Sequence, residues 1–362
     1  MAKDWAGDPR NASTEGDFTR DVTYIADRIV ASVPAGSAPT PMPGTSGGVG
    51  RMLWPVEAGR YRLMAARACP WANRAVIIRR LMGLEDAFSL SLAGPTHDVR
   101  SWNYDGVYPG DVDPVLGIPR LQDAYFARVS DYPRGITVPA MAEVATGQVV
   151  TNDYDQMTID FIREWSKFQR PGAPDLYPDG LVDQIEELNE LIYPKINNGV
   201  YRCGFASSQD AYERAYRELW DALDQVTERL ARQRYLVGDH ITLADIRLFT
   251  TLVRFDPVYH GHFKANRSKL SEIPVLWGYL RDLFQTPGFG DTIDFPDIKA
   301  HYYVVHKEVN PTQVVPVGPD LSGLLTSHGR EELGGSPFGD GTPPDPVRHD
   351  ERPPAGSNPL YT

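Results

Sequence analysis

Cys69 and Cys203 are the two cysteines of this 362-residue chain. Cys69 stands in "MAARACPWANRAVIIRRLMGLEDAFSL", residues 64–90, where an apolar run meets a segment with helical spacing. A Cys-Pro pair at such a junction places the cysteine at a helix N-cap and the proline at the first helical position, where its missing N–H costs nothing. The sulfur then faces backbone N–H groups at the positive end of the helix dipole, which favours thiolate over thiol. Arg67 and Arg74 add positive potential. A dithiol redox site would carry a second cysteine three residues on, and that position is Ala72. A lone thiolate still attacks sulfur, but the mixed disulfide it forms needs an external thiol to resolve it. The spacing therefore predicts monothiol chemistry with a low-molecular-weight thiol as cosubstrate. Cys203, in "NNGVYRCGFA", lies in the other domain and reads as structural, and two cysteines so far apart do not make a disulfide framework.

The elements around Cys69 set its position. "GRYRLMAARA" reads as a strand entering a core. A helix over Trp71–Met82 follows, with Ala72, Ala75, Val76, Ile78 and Leu81 on its apolar side. Asn73, Arg74, Arg79 and Arg80 fall on the polar side, and Gly83 is its C-cap. "AFSLSLAG" is a second strand. "GITVPAMAEVATGQVVTNDYDQMTIDFI" gives strand, turn at Thr146-Gly147, strand, and a helix starting near Asn152. This order predicts a small α/β domain over residues 56–170, with an insert at 94–133 rich in Pro, Gly, Asp and aromatics. Four helical patterns then define an all-helical domain over 175–300, with Ser207 or Ser208 capping one helix. Thr242 caps another, with Asp245 in capping-box position. Residues 1–55 read as an extended arm rich in Gly, Pro, Ser and Thr. Residues 301–362 read as a C-terminal extension ending in a flexible tail too poor in apolar residues to fold alone.

Composition narrows the class. Hydrophobic residues make up 41% and charged residues 23%, as in a soluble globular protein, and the formal charge of −12 argues against nucleic acid or anionic membrane as a partner. No stretch approaches the roughly 18 uninterrupted apolar residues of a membrane helix. The polar start "MAKDWAGDPRNASTEGDF" lacks a signal-peptide core, which predicts a cytoplasmic protein. His260, His262, His301 and His306 lack the spacing of a closed zinc site, so no metal is expected.

Five motifs in order, "CPWANRAVIIRRLMGLED", "TVP", "YPKINNGVYRCGFA", "RFDPVYHGHFKAN" and "IKAHYYVVHKEVNPTQVVPVGP", carry a resemblance over about residues 50–320. Together the chain resembles the xi-class glutathione transferases, the glutathionyl-hydroquinone reductases. The resemblance implies a thioredoxin-like domain followed by an all-helical glutathione-transferase domain, a homodimer, and reductive removal of a thiol from S-conjugated hydroquinones. It makes Cys69 the catalytic thiolate, left as a mixed disulfide that a second small thiol reduces. It assigns Tyr193, Tyr259 and Tyr302 to binding and protonating the ring, a task suited to a side chain with an apolar face and a phenolic O–H. The cosubstrate site it implies comprises Trp71, Trp102, Arg134, Val138, Pro139, Asp153 and Tyr154. In that site Pro139 follows a cis peptide bond and the Val138 backbone pairs with the thiol's amide.

Two positions depart from the family. Its members read N-E-S-S where this chain reads "TNDYDQ", so Asp153 and Tyr154 replace the Glu–Ser pair that holds the γ-glutamyl group. The family's Gly-Arg before the T-V-P strand becomes "RGITVP", with Arg134 adjacent to the matching position and Gly135 in it. Either the site is repacked around glutathione, or it takes a thiol without a γ-glutamyl group, such as mycothiol. Arginine outnumbers lysine by 29 to 7, the bias of a high-GC genome such as an actinobacterium's, which favours mycothiol. Two other functions stay open: a general thiol–disulfide oxidoreductase that removes thiol caps from proteins, and a non-catalytic ligand-binding protein on a transferase-like fold.

Overall fold

The computed structural model describes residues 13, 15–21, 24–43 and 51–361. They divide into two units, one of Asp21–Pro171 and one of the residues up to 20 together with 172–361.

Among the described residues the first unit holds nine strands and three α-helices. β1 (Arg28–Val30), β2 (Thr40–Pro41) and β3 (Met52–Pro55) form a small sheet in the order β1-β3-β2. β4 (Tyr61–Ala66) leads into α1 (Pro70–Met82) and β5 (Ser89–Ala93). β6 (His97–Asp98), β7 (Ser101–Trp102) and α2 (Leu121–Arg128) follow, then the hairpin β8 (Ala140–Glu143) and β9 (Val149–Thr151), and α3 (Tyr154–Arg163). The central sheet runs β5-β4-β8-β9, with β5 parallel to β4, β8 antiparallel to β4 and β9 antiparallel to β8. Every residue of β4 is buried, including Arg62, whose guanidinium meets the buried Asp113 at 2.9 Å. Because β4 is covered on both faces, its sequence is nearly continuously apolar instead of alternating.

The extended arm expected over residues 1–55 is only partly so. Residues 1–12, 14, 22–23 and 44–50 of it lie outside the described residues. The remainder contributes β1 to β3, pinned by Asp27, whose carboxylate accepts from Trp54 Nε1 at 2.8 Å and from the Met52 amide at 2.9 Å. The strands are too short for periodicity to reveal them. The 94–133 segment is likewise no excursion from the core: Tyr104, Leu121, Ala124 and Tyr125 are fully buried among Met64, Ala66, Ala140 and Ala142.

α1 begins where the Cys-Pro pair predicts. Cys69 is the N-cap, extended at φ −79° and ψ 120°, with Pro70 at the first helical position. Gly83 closes the helix in the left-handed region at φ 69°, its N–H donating to Arg80 O, as a Gly C-cap does. The polar side expected for this helix is instead buried. Arg79 is fully covered and donates to Phe88 O at 3.0 Å, and Arg80 pairs with Glu85 at 2.7 Å.

The second unit is helical: α4 (Val182–Ile192), α5 (Gly199–Gly204), α6 (Gln209–Leu230), α7 (Leu243–Leu252), α8 (Pro274–Gln285) and α9 (Phe295–Val305), with π turns at Tyr193–Asn197 and Phe255–Tyr259. Ser208 caps α6, accepting from Ala211 N at 3.2 Å. The Thr242 amide donates to the Asp245 carboxylate at 2.9 Å at the start of α7. That carboxylate also accepts from Leu236 N and Tyr279 OH, which satisfies a fully buried charge site.

The C-terminal tail, expected to be flexible, lies against this unit. Arg330 donates to the carbonyl of Leu230 at the end of α6 and to those of Gln233 and Arg234 just beyond it, and its guanidinium sits 5.6 Å over the Tyr279 ring. Asn358 donates to Gly290 O and Ile293 O, and Tyr361 OH to Asp291 O. Main-chain carbonyls left open at helix ends take these donors. An apolar count does not register such anchors.

Candidate active site

Within the first unit the Cys69 thiol is half-buried and donates to Val138 O at 3.4 Å. The Val138–Pro139 peptide bond is cis. Cys69 packs against the apolar cluster that contains Trp102 and Val138. Trp102 lies in β7 with its ring 5.0 Å from that of His97. Trp71, on the first turn of α1, meets the edge of Tyr154 at 6.0 Å, and Tyr24 meets Tyr154 from another side at 5.7 Å. The buried guanidinium of Arg74 lies 6.0 Å from the Trp71 ring and 5.9 Å from the Tyr154 ring. Tyr154 is thus packed by three neighbours at the N-terminus of α3.

Asp153 is the N-cap of α3, accepting from Gln156 N at 3.4 Å. Burial pushes its carboxyl above the usual carboxylate range, against the pull of that hydrogen bond. Arg134 is at the surface, half-exposed, in an ion pair with Asp21 at 3.2 Å. The expected cosubstrate residues therefore separate: Trp71 and Tyr154 meet, Val138 meets Cys69, and Arg134 faces solvent.

Within the helical unit, Tyr259 ends the π turn after α7 and Tyr302 lies on α9. Their hydroxyls are 2.9 Å apart, and the Tyr302 hydroxyl is also 2.5 Å from that of Tyr201 on α5. All three rings are buried, and burial followed by the neighbouring phenols holds Tyr302 well above the ordinary phenol range. The Arg20 guanidinium lies 4.7 Å over the Tyr201 ring. Tyr193 opens the other π turn, partly exposed, and no hydrogen bond or ring contact joins it to this trio among the described residues. Tyr201 is a member that sequence reasoning missed. Its signal was its place in "NNGVYRCGFA", one of the motifs that carry the resemblance.

His262 Nε2 lies 3.3 Å from His306 Nδ1, and burial pushes His262 down to about 4. Among the described residues no group of three or more His, Cys, Asp or Glu is arranged to hold a metal ion. Cys203 is buried on α5, and burial pushes its thiol up to about 12, so it is not a nucleophile near neutral pH. Among the described residues no helix is long and apolar enough to cross a membrane.

A four-stranded mixed sheet whose first strand runs into a helix capped by Cys-Pro, followed by an all-helical unit, defines the class of the glutathione transferases: thioredoxin-like, then helical. The chain matches the glutathione S-transferase C-terminal domain family over residues 209–282. It is 38% identical over 323 residues to the glutathionyl-hydroquinone reductase YqjG of Escherichia coli, covering 88% of this chain and 94% of that protein. It is 62% identical to a glutathione transferase from Gordonia bronchialis, with a TM-score of 0.86 and coverage of 93% and 99%. It is 39% identical to a xi-class transferase from Natrialba magadii, with a TM-score of 0.74 and coverage of 81% and 88%. The chain belongs to the xi-class glutathione transferases and is an enzyme of that class.

Proposed function

We propose that the protein is a Cys69-dependent reductase that removes a low-molecular-weight thiol from S-conjugated hydroquinones. The observation that carries this reading is Cys69 at the N-cap of α1 with Ala72 in the place of a resolving cysteine. The name of the Escherichia coli relative, a glutathionyl-hydroquinone reductase, supports the substrate class.

The chemistry balances without a redox cofactor. The Cys69 thiolate attacks the cosubstrate sulfur, the new S–S bond forms, and the sulfur–ring carbon bond breaks. The electron pair goes to the ring carbon, which takes a proton and leaves as hydroquinone. A second thiol attacks the mixed disulfide, releases Cys69 as thiolate, and departs as the low-molecular-weight disulfide. Tyr193, Tyr259 and Tyr302 are assigned to ring binding and proton supply. The hydroxyl chain Tyr201–Tyr302–Tyr259 supports the last two, because phenols joined in one hydrogen-bonded chain can relay a proton to a ring held beside them. Trp71, Trp102, Arg134, Val138, Pro139, Asp153 and Tyr154 are assigned to the cosubstrate.

For the cosubstrate we favour mycothiol over glutathione. Asp153 already caps its helix and the Tyr154 ring fills the space beside it, which supports a thiol without a γ-glutamyl group to be gripped there. The proposal includes domain limits of 56–170 and 175–300, a cytoplasmic homodimer, and no nucleic-acid, membrane or metal partner. The test is to load Cys69 with each thiol and follow its release. Turnover with mycothiol supports the assignment, and efficient turnover with glutathione alone overturns it. Loss of conjugate reduction in Cys69→Ser separates the enzyme from a ligand-binding protein.

A further inference from the structure

The three residues before Pro139 each have their backbone carbonyl taken by a side chain from a different element. Ser101 Oγ donates to Ile136 O at 2.8 Å, Tyr125 OH to Thr137 O at 2.7 Å, and the Cys69 thiol to Val138 O at 3.4 Å. From the α3 side, Asn152 Nδ2 donates to Thr137 Oγ1 at 2.9 Å. An irregular stretch beside a buried sheet needs such partners, because a buried carbonyl without one is costly. Two of the three carbonyl clamps, Ser101 on β7 and Tyr125 on α2, come from the 94–133 segment. Ser101 is also fully buried at φ 74°, a conformation that non-glycine residues seldom adopt. Such backbone persists only where its surroundings over-determine it. Here it lets Ser101 reach Ile136 while Trp102, the next residue, enters the cluster against which Cys69 packs.

We propose that Ser101 and Tyr125 are positioning residues for the thiol cosubstrate, holding the Ile136–Val138 backbone where the Val138 main chain pairs with the amide beside the cosubstrate's sulfur. The proposal rests on the reading of Cys69 as the thiol-exchanging residue. It makes the 94–133 segment a working part of the thiol site. Glutathione and mycothiol both carry a cysteinyl amide, so the role is the same for either.

The test compares wild type, Tyr125→Phe, Ser101→Ala and the double variant on hydroquinone thioethers of glutathione and of mycothiol, with alkylation of Cys69 by iodoacetamide as a second readout. Loss of two hydrogen bonds that act through Val138 raises KM for the conjugate about tenfold in the double variant. Alkylation, which needs no cosubstrate amide paired at Val138, stays within about twofold of wild type. Ser101→Gly keeps the left-handed backbone and removes only the hydroxyl, so it serves if Ser101→Ala fails to fold. A lowered melting temperature with KM unchanged makes the two residues structural and overturns the proposal. A wild-type Cys69 that acquires no thiol adduct from either conjugate overturns the reading of Cys69 and this proposal with it, a result visible without any variant.

Discussion

The hydroxyls of Tyr201 and Tyr302 lie 2.5 Å apart, one on α5 and the other on α9, both buried in the helical unit. A phenol that accepts from one neighbour donates more strongly to the next, so Tyr201 acts on Tyr302 and, through it, on Tyr259. Tyr201→Phe removes this link and keeps the ring. It should lower kcat for conjugate reduction about tenfold, against about a hundredfold for Tyr302→Phe. Reduction of a preformed Cys69 mixed disulfide should be unchanged in both, since that step needs no ring protonation. An unchanged kcat in Tyr201→Phe would remove the hydroxyl chain from the mechanism.

The two thiols should label very differently. Iodoacetamide at about pH 8 should add one group to the native protein, at Cys69, because alkylation follows thiolate content and access. Cys203, buried and with its thiol pushed up to about 12, should react only after unfolding in urea. Peptide mapping by mass spectrometry reads both sites, and native labelling at Cys203 would contradict the assignment.

His262 gives the helical unit an acid limit. Burial, with a smaller effect from Lys264, lowers its folded value from 6.5 to about 4. Because the unfolded state binds the proton first, this contribution is present in full above about pH 6.5 and is lost as pH falls toward 4, on the order of 3 kcal/mol. Its ring is faced by His306, by His301 one ring further on, and by Tyr302 and Tyr303. His262→Phe keeps the stacking on Phe263 and should shrink the fall in melting temperature between pH 7.5 and pH 5. An unchanged acid limit would place its origin elsewhere.

Thiol choice should follow the start of α3. Replacing Asp153→Glu together with Tyr154→Ser restores a longer carboxylate and a small hydroxyl. The pair should raise turnover with glutathione about tenfold relative to mycothiol, the worth of one good charge-assisted hydrogen bond. Truncating a ring packed by Trp71, Tyr24 and Arg74 should cost about 3 kcal/mol of stability in the same variant. Comparing the two thiols at saturating conjugate separates the effects, and an unaltered preference would clear Tyr154 of any role in selection.

What the sequence made legible is mostly punctuation. Pro70 and Gly83 bracket α1 because each is locally compatible with one end of a helix and not with its interior, and Ser208 and Thr242 work the same way. Arg79 and Arg80 misled, because a helix covered on several sides can bury arginines that find Phe88 O and Glu85. Tyr201 was invisible as a partner of Tyr302, 101 residues away, since no local pattern encodes a hydroxyl meeting across three elements. The same holds for Arg330 and Asn358, whose anchoring depends on where helix ends lie in space.

The proposed reaction turns on Cys69 taking the thiol from the conjugate. Intact mass of the protein, quenched with acid after mixing with one equivalent of a thiol-conjugated hydroquinone and no free thiol, tests it most directly. One adduct with the mass of the thiol, mapped to Cys69, is expected, with hydroquinone released in equal amount and neither seen in Cys69→Ser. Hydroquinone released without an adduct, or released equally by Cys69→Ser, would contradict it.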